Sequence, residues 1–365
     1  MRIALVTRRY PPLIGGAEKV LSYLAHALAD EGADVTVLTS QTPGKRQTIE
    51  KNGRLRVVRL ATSGIRGLGT LIYMRNIARW FRRNPVDVAY VSMLKHDAYA
   101  TLESSCIHEF PVVLRPEGAG ATGDLAWQQW GRFGTMIGRR CKTADAVVAI
   151  SPAIRAELLE AGYSASIIHD LPNGVPVPSR AWRPLSARHA VFVGRLAPEK
   201  GLDVLLDAWP AVLAAHPDAT LSLIGEGPER SSLENHAARL GISTSVTLPG
   251  IAEDIDLTLR QHDLFVLPSR EEGMSIALLE AMALGMPIVA SAIPGNRGLI
   301  RGGIDGVLFE PEHPEALATA ILDQWNDPAA GIAMGREARC RVVDDFSIAA
   351  VARRHLKLFT QLTNR

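Results

Sequence analysis

Two positively charged residues lie close together in the second half of the chain, directly after an apolar segment. Arg195 and Lys200 flank Pro198, which kinks the connection so that both side chains can face one point. Two cations at the carboxyl end of a strand suit a diphosphate, whose negative charge they would neutralise. The alternative is a solvated loop, since charged loops usually have no other role. Gly194, between the apolar segment and Arg195, favours the diphosphate interpretation.

Two carboxylates, Glu272 and Glu280, follow a second apolar segment that ends at Leu267. The pattern predicts a helix that starts near Met274, so that Gly273 and the next N–H groups form an anion pocket. Glu280 lies among apolar neighbours on that helix, where a carboxylate is costly unless it accepts hydrogen bonds. A ribose diol would donate two of them. The alternative places Glu280 on the solvated face of an amphipathic helix.

A glycine pair, Gly15 and Gly16, falls between the first predicted strand and the first predicted helix. Glycines at a helix N-terminus let a bulky ligand approach the backbone, and the unpaired N–H groups attract anions. A plain strand-to-helix turn is the alternative. The spacing is not G-x-G-x-x-G, so the dinucleotide-binding motif is absent and an NAD-dependent dehydrogenase is disfavoured.

These motifs need strands and helices that bring them to the same edge of a sheet. Short apolar strands alternate with helical segments, for example the one in which Val20, Leu21, Leu24 and Leu28 recur at helical spacing. Such alternation predicts an α/β fold with parallel, doubly wound sheets. Ligands bind at the carboxyl ends of strands in these sheets, so a cleft between two facing domains is the expected site.

The chain length and one proline- and glycine-rich segment predict two domains. A chain of 365 residues is long enough for two cores, and residues 171–178 have the composition of a linker. Strands and helices alternate again after the linker, whereas the chain from Ala329 onward is predicted to be entirely helical. The predicted division is therefore 1–175, 176–345 and a terminal helix at 346–365.

With these motifs in this order, the chain resembles the retaining glycosyltransferases of the GT-B fold, in family 4 (glycosyltransferase group 1). The resemblance runs over essentially the whole chain and depends on four segments, at residues 15–18, 193–201, 223–228 and 272–280. It implies two Rossmann-like domains facing a central cleft, with a helical C-terminal tail. Residues 1–175 would bind the acceptor, residues 176–345 the nucleotide-sugar, and the terminal helix would cross back to the first domain.

The resemblance also implies roles for the motif residues. Arg195 and Lys200 would hold the donor's diphosphate. Glu280 would bind the ribose, and Glu272 would contact hydroxyl groups of the sugar. The glycine pair would close over the distal phosphate, and backbone groups from residue 273 to residue 275 would contact sugar and phosphate. The implied donor site consists of Gly15, Gly16, Gly194, Arg195, Lys200, Gly225, Gly273, Met274, Ser275 and Glu280.

One segment departs from the family pattern. Family members commonly carry His-Gly after the strand that corresponds to residues 112–115, whereas this chain has Glu117 and Gly118. Glu117 would take over a hydrogen bond to a sugar hydroxyl or help to deprotonate the acceptor. The glycine-rich loop that follows ends in Asp124, which is predicted to cap the next helix. The candidate catalytic residues are therefore Glu272, Arg195, Lys200 and Glu117.

The implied activity is the retaining transfer of a sugar from a nucleotide-diphosphate donor to a hydroxyl of a glycan, a glycolipid or a small molecule. A UDP-sugar is the favoured donor, and GDP-mannose is the second. No metal or other cofactor is expected, because Arg195 and Lys200 offset the diphosphate charge. The Asp254-Ile255-Asp256 segment matches the Asp-x-Asp pattern that binds a divalent cation in unrelated glycosyltransferase folds, but here it is more typical of a helix start. Two alternatives stay open: a nucleotide-sugar epimerase or hydrolase of this fold, and a non-catalytic nucleotide-sugar-binding protein.

Charge is distributed unevenly along the chain. Residues 1–175 carry a net charge of +7 and residues 176–365 carry −5, so anionic partners are expected on the first half. The segment that begins at Leu68 and ends at Arg83 is predicted to be a basic amphipathic helix suited to an anionic membrane, or else a crossover helix with solvated arginines. No nucleic-acid-binding motif is found. Three cysteines without metal-ligand spacing, and no long apolar run, predict a cytoplasmic protein. The membrane interpretation of residues 68–83 would make it peripheral on the inner membrane face.

Overall fold

The computed structural model describes residues 1–13, 15–42, 45–65, 67–118, 120, 123–185 and 187–364. Contacts divide the chain into two compact units. The N-terminal unit comprises Met1–Gly174 and the last segment of the chain from Ile348 onward. The C-terminal unit comprises Val175–Ser347. Each unit has its own sheet and its own buried apolar core.

The N-terminal unit contains an eight-stranded sheet. Its strands are β1 (Arg2–Val6), β2 (Asp34–Ser40), β3 (Thr48–Asn52), β4 (Leu55–Leu60), β5 (Val88–Ser92), β6 (Val112–Arg115), β7 (Ala146–Ala149) and β8 (Ile168–Asp170). The order is β3-β4-β2-β1-β5-β6-β7-β8, and every neighbouring pair is parallel except β3 with β4. Strand β3 was not expected from the sequence, because its five residues are all exposed and mostly polar.

Helices cover this sheet. They are α1 (Gly16–Asp30), α2 (Leu68–Phe81), α3 (His96–His108), α4 (Asp124–Trp130), α5 (Gly134–Cys141) and α6 (Pro152–Glu160). The apolar spacing that predicted α1 is confirmed, since Val20, Leu21, Leu24 and Leu28 are all buried. Helix α3 packs against both α2 and α5.

Helix α2 turns its apolar side into the unit. Tyr73, Ile77 and Phe81 are buried, whereas Leu71 is 64% exposed and Arg79 is solvated. Ile77 and Phe81 therefore pack inside the unit, as expected for a crossover helix. Binding of this segment to a membrane stays a prediction. Among the residues that the structure describes, no helix has both the length and the apolar content needed to cross a bilayer.

The C-terminal unit contains a six-stranded, entirely parallel sheet. Its strands are β9 (His189–Val193), β10 (Thr220–Ile224), β11 (Val246–Gly250), β12 (Leu264–Leu267), β13 (Ile288–Ser291) and β14 (Val307–Phe309). The order β11-β10-β9-β12-β13-β14 reverses direction between β9 and β12, as the N-terminal sheet does between β1 and β5. Both sheets are therefore doubly wound, and the predicted α/β class is confirmed.

The helices of this unit follow its strands. They are α7 (Leu202–Ala215), α8 (Arg230–Arg239), α9 (Ile255–Arg260), α10 (Ile276–Leu284), α11 (Pro294–Arg297), α12 (Pro314–Asn326) and α13 (Pro328–Arg341). Asp254 caps α9 by accepting a hydrogen bond from the Leu257 N–H group, which confirms the predicted helix start. The core contains the largest fully buried side chain of this unit, Trp209.

The chain ends in helices, as predicted. A π-helical turn (Val342–Phe346) follows α13, and α14 (Ile348–Thr363) then belongs to the N-terminal unit, where it packs on α1. An ion pair of 3.1 Å between Arg353 and Glu31 connects these two helices. The three cysteines are unpaired thiols, of which Cys106 and Cys340 are exposed and Cys141 is buried.

Candidate active site

The reversal of strand order in the C-terminal sheet places two candidate segments side by side. Open parallel sheets bind ligands where the strand order reverses, because the connections diverge there and leave a crevice. Strand β9 leads into the 3₁₀ turn Pro198–Lys200, and β12 leads into residues 268–275. The backbone N–H groups of Arg270 and Glu271 both donate to the Glu199 carbonyl oxygen, at 2.9 and 3.3 Å. The two segments therefore form one rigid edge.

Glycine is required where these loops touch. Gly201 has φ +60°, and a Cβ atom there would lie 2.3 Å from the Pro268 carbonyl oxygen. Gly225 has φ +139°, and its Cβ atom would lie 1.8 Å from the carbonyl oxygen of Gly194. No other side chain fits either position without moving the backbone. The predicted glycines Gly194 and Gly225 thus hold the β9 and β10 loops together.

Lys200 and Glu272 form the centre of this edge. The Lys200 Nζ atom lies 2.7 Å from Glu272 Oε1, and the two side chains are 18% and 8% exposed. Ser269 donates a second hydrogen bond, of 2.8 Å, to the same carboxylate oxygen. We call Lys200, Ser269 and Glu272 the Lys200 cluster. An ammonium group has three donors, so the pairing leaves Lys200 with donors for a second anionic group.

Arg195 pairs with a residue outside the Lys200 cluster. Its guanidinium group donates to the Glu199 carboxylate at 2.5 Å, and its side chain is 62% exposed. Burial raises the pKa of Glu199, but hydrogen bonds and the charge of Arg195 outweigh burial, so the pKa is lowered. Arg270 forms ion pairs with Asp203 and Glu312. These ion pairs stabilise the fold.

Helix α10 begins later than the sequence predicted. Its first residue is Ile276 and its cap is Ser275, whose hydroxyl accepts a hydrogen bond from the Leu278 N–H group at 3.3 Å. The start predicted near Met274 is therefore wrong by two residues, because the Ser275 hydroxyl satisfies an N–H group of the first turn. Gly273 and Met274 lie in the preceding loop, and Glu280 is half-buried one turn beyond Ile276.

A second group of polar residues lies at the carboxyl edge of the N-terminal sheet. Ser92, at the end of β5, donates a short hydrogen bond to Glu117 Oε1. Arg115 donates to the Ser92 hydroxyl at 3.1 Å and to the Asn173 side chain at 2.7 Å, and it lies 3.6 Å from Glu117. Burial raises the pKa of Glu117. The charge of Arg115 and the hydrogen bond from Ser92 lower it by less, so the pKa is raised overall. We call Ser92, Arg115, Glu117 and Asn173 the Glu117 cluster.

Asp124 does not cap its helix, contrary to the prediction. It is the first residue of α4, and Gly123 occupies the cap position. The Asp124 carboxylate instead accepts a hydrogen bond of 2.8 Å from the Glu117 N–H group and lies 3.4 Å from Lys95 Nζ. The carboxylate therefore holds the backbone of Glu117 in place, and this tertiary contact replaces the local cap.

Asp97 is a further buried carboxyl group at this edge. Only 4% of the residue is exposed, and its Oδ2 atom has no hydrogen-bond partner among the described residues. Burial raises the pKa of Asp97 to about 7, with Arg8 lowering it and Glu117 raising it by their charges. Sequence reasoning missed Ser92, Lys95, Asp97 and Asn173. The carboxyl end of β5 was the signal that could have identified the first three.

The glycine pair lies at the start of α1, as predicted. Gly15 is the cap residue and Gly16 is the first residue of the helix. The Glu18 carboxylate folds back over Gly15 and lies 4.0 Å from Arg9, with only 8% of Glu18 exposed. A negative charge thus already lies beside these N–H groups, where a helix N-terminus stabilises it.

No group of three or more His, Cys, Asp or Glu residues in the described ranges is arranged to hold a metal ion. The expectation of a metal-independent reaction stays a prediction. The Lys200 cluster can bind an anion, and the Glu117 cluster can bind or deprotonate a hydroxyl. Each unit therefore carries one of the two functions that transfer of an activated group requires.

Comparison with known proteins identifies the class. The family described as Glycosyl transferases group 1 matches residues 187–327. The family described as Glycosyl transferase 4-like domain matches residues 15–174. Together they account for most of the chain, which therefore belongs to the glycosyltransferases and is an enzyme of that class. The resemblance inferred from the motifs is confirmed.

Several curated relatives extend over the whole chain. Glycogen synthase from Mycobacterium tuberculosis is 28% identical over 96% of this chain and 92% of its own length. A GDP-mannose-dependent alpha-(1-6)-phosphatidylinositol monomannoside mannosyltransferase from Mycolicibacterium smegmatis is 27% identical over 94% of each chain. Exopolysaccharide phosphotransferase SCO2592 from Streptomyces coelicolor is 32% identical over 62% of this chain, but the match spans only 24% of that protein.

A solved structure shows the same fold. The Anabaena protein HepE (Alr3699), crystallised in complex with UDP-glucose, has a TM-score of 0.81 and 20% identity. The alignment covers 99% of this chain and 100% of that one. This similarity identifies the fold as GT-B.

Proposed function

We propose that this glycosyltransferase moves a sugar from a nucleotide-diphosphate donor to a hydroxyl group, with retention of the anomeric configuration. The observation that carries the proposal is the Lys200 cluster, in which a partly buried cation and a partly buried carboxylate meet at the reversal between β9 and β12. Lys200 would neutralise the departing diphosphate while Glu272 accepts hydrogen bonds from the sugar. Arg195, on the same loop, would add a second cation.

The mechanism follows from the charges that develop. The bond between the anomeric carbon and the phosphate oxygen breaks, which leaves negative charge on the diphosphate and positive charge on the sugar ring. Lys200 and Arg195 would stabilise the first charge. The acceptor oxygen attacks from the face that the diphosphate leaves, and the departing phosphate oxygen takes the acceptor proton. These side chains supply the cationic charge, so we propose that no metal ion is needed.

A UDP-sugar is the favoured donor and GDP-mannose the second. HepE was crystallised with UDP-glucose, and the mycobacterial mannosyltransferase is GDP-mannose-dependent. Glu280 would bind the ribose, since it is half-buried on α10 one turn beyond Ile276. Gly15, Gly16, Gly194, Gly225 and the 273–275 backbone would complete the donor site.

The acceptor would bind at the N-terminal unit. Glu117 is positioned for this by three contacts, with Ser92, Arg115 and Asp124. A buried carboxylate with a raised pKa suits a hydrogen bond to a sugar hydroxyl or transient acceptance of its proton. We propose a glycan, lipid-linked or small-molecule acceptor, and a cytoplasmic enzyme peripheral on the inner membrane face.

The donor can be identified before any acceptor is known. The thermal midpoint of the full chain should rise with one nucleotide among UDP, GDP and ADP, and further with its sugar derivative. Glu280→Ala should remove most of that rise, whereas Glu315→Ala, on the exposed face of α12, should leave it unchanged. An equal response of both variants would refute the ribose role of Glu280.

A second measurement separates transfer from the alternative reactions. The donor that binds is incubated alone and followed by NMR. Transfer predicts an intact donor until an acceptor pool is added and nucleoside diphosphate is released. Rapid change of the donor without an acceptor would instead identify an epimerase or a hydrolase.

A further inference from the structure

The turn between α4 and α5 exposes an unusual group of large apolar side chains. Trp130 is 73% exposed, Phe133 is 56% exposed and Met136 is 48% exposed. All three lie within seven consecutive residues, 130–136, which we call the α4–α5 turn. Exposing one large apolar residue is ordinary, but three together mark a binding surface.

The turn is rigid although its tip is exposed. A Cβ atom at Gly131 would lie 2.4 Å from the Trp127 ring, and one at Gly134 would lie 2.4 Å from the Gln128 carbonyl oxygen. The base of the turn is therefore closely packed. Phe133 has φ +64° and ψ +13°, a left-handed conformation that is unfavourable for a phenylalanine. An aromatic residue kept in a strained and exposed position points to a functional role.

Positive charge surrounds the apolar residues. The Arg132 guanidinium lies 5.1 Å from the centre of the Phe133 ring, and Arg139 is exposed one turn beyond Met136. The sequence has no acidic residue between Asp124 and Asp145, but it has four basic ones. Arg140 is paired with Glu103 at 2.8 Å. The other three have no ion pair within the part of the chain that the structure describes: Arg132, Arg139 and Lys142.

We propose that the α4–α5 turn docks on an anionic lipid bilayer. Trp130 and Phe133 would enter the boundary between headgroups and acyl chains, where Trp is enriched and where Phe belongs to the apolar face of interfacial segments. Arg132 and Arg139 would contact lipid phosphates, and each adds attraction to an anionic surface. A second copy of this chain is a poorer occupant, because a symmetric contact through this turn would place arginines against arginines.

This surface differs from the one that the sequence suggested. The predicted membrane helix, α2, buries Tyr73, Ile77 and Phe81 in the unit. The α4–α5 turn has no such internal use for its apolar residues. Sequence periodicity does not reveal it, because the exposed residues belong to the end of one short helix, a turn and the start of the next.

The turn connects directly to the Glu117 edge. The Trp127 ring lies 6.5 Å from Trp130, and the Lys95 ammonium lies 5.5 Å from the centre of the Trp127 ring. Lys95 in turn pairs with Asp124, which binds the Glu117 backbone. Docking would bring this edge close to the headgroups. A lipid-linked acceptor would then be the natural substrate, and that consequence alone depends on the proposed function.

The proposal is tested by cosedimentation of the full chain with vesicles of equimolar phosphatidylglycerol and phosphatidylcholine. Phe133→Asn is the most informative change, because asparagine tolerates the left-handed conformation and should preserve folding. We expect vesicle affinity to fall about tenfold, because the variant loses the burial of one aromatic ring in the membrane. The thermal midpoint should be unchanged or higher. Unchanged affinity would overturn the proposal.

Matched controls locate the surface. Leu159→Asn on α6, which is 43% exposed, and Leu71→Asn on α2, which is 64% exposed, should both bind vesicles normally. Loss of binding in Leu71→Asn, with normal binding in Phe133→Asn, would overturn the proposal in favour of α2. The assay contains no sugar donor, so its outcome is independent of the transferase proposal.

Charge and self-association provide two further outcomes. Binding should weaken when Arg132 and Arg139 are both changed to Gln, when salt is raised, and when phosphatidylcholine alone forms the vesicles. Equal binding to neutral vesicles would refute the anionic preference. Sedimentation without vesicles should give the same mass for the wild type and Phe133→Asn. A dimer that Phe133→Asn dissolves would show that the occupant is a second copy.

Discussion

The carboxyl edges of the two sheets are built in contrasting ways. The C-terminal edge presents cations, with Lys200 beside Glu272 and Arg195 exposed, on loops held together by backbone contacts at Gly201 and Gly225. The N-terminal edge presents buried carboxyl groups, of which Glu117 and Asp97 have raised pKa values. One edge is suited to stabilising negative charge, and the other to exchanging protons or binding hydroxyl groups.

The difference shows how one topology supports two kinds of chemistry. Both edges lie where strand order reverses, so the fold provides a crevice at each. Burial then decides the chemistry. A carboxyl group that is buried with one oxygen unpartnered among the described residues, as in Asp97, favours the neutral form.

The strongest test of the cationic edge is Lys200→Ala. Turnover should fall by about 10²- to 10³-fold, because loss of one charge-stabilising donor at a departing group has effects of this size. Nucleoside diphosphate release measures it, and a parallel thermal midpoint separates lost turnover from lost folding. Arg183→Ala, an exposed cation of the same unit, serves as the control. Near-normal turnover of Lys200→Ala would show that the diphosphate binds elsewhere.

Two glycine substitutions test the close backbone contact at the C-terminal edge. Gly201→Ala should lower the free energy of unfolding by about 3 kcal/mol, because its Cβ atom would collide with the Pro268 carbonyl. Gly241→Ala shares a positive φ, +72°, but meets nothing within 4 Å, so only the left-handed penalty of about 1 kcal/mol applies. Denaturant unfolding measures both, and equal losses would contradict the collision.

The buried edge predicts a dependence of stability on pH. The pKa of Asp97, about 7 in the folded chain against an ordinary 3.8, means that the folded state binds the proton more tightly. Its stabilising contribution is complete below about pH 4 and is lost as the pH rises toward 7. Asp97→Asn should therefore gain about 4 kcal/mol relative to the wild type between pH 4 and pH 8, since each unit of pKa difference corresponds to about 1.4 kcal/mol. Parallel unfolding curves at the two pH values would contradict the burial argument.

The smallest effect is expected at Glu117. Glu117→Gln keeps the size of the side chain and its contact with Ser92 but removes the charge. Transfer to the acceptor should slow by about tenfold, as expected for one lost charge-assisted hydrogen bond, with unchanged donor affinity. The wild-type rate should rise with pH through the raised pKa of Glu117 and the variant's rate should not. Identical pH profiles would remove the carboxylate from the reaction.

The sequence predicted the sheets well because their strands are buried on both faces. β6 has the predicted bounds, 112–115, and β12 ends at Leu267 as predicted, and every residue of these two strands is buried. β3 escaped prediction because it is exposed and pairs only with β4. Its identity as a strand depends on a partner rather than on its own composition.

The sequence predicted which types of residue form the candidate site, but it did not predict the contacts between them. Lys200 and Glu272 were assigned to different parts of the donor, and the structure pairs them with each other. Asp124 looked like a helix cap from its local sequence, but it binds a backbone group seven residues earlier. Asn173 lies in a segment that resembled a linker, yet it is buried against Arg115. Such tertiary contacts leave no local pattern in the sequence.

The distribution of the thiols makes the native chain ready for spectroscopic labelling. Cys106 belongs to the N-terminal unit and Cys340 to the C-terminal unit, and both are exposed. Cys141 is buried, and burial raises its pKa to about 12, so it stays protonated and unreactive at neutral pH. A donor and an acceptor fluorophore could therefore be attached without engineering. Their energy transfer would report, in one sample, whether nucleotide addition changes the distance between the two labels.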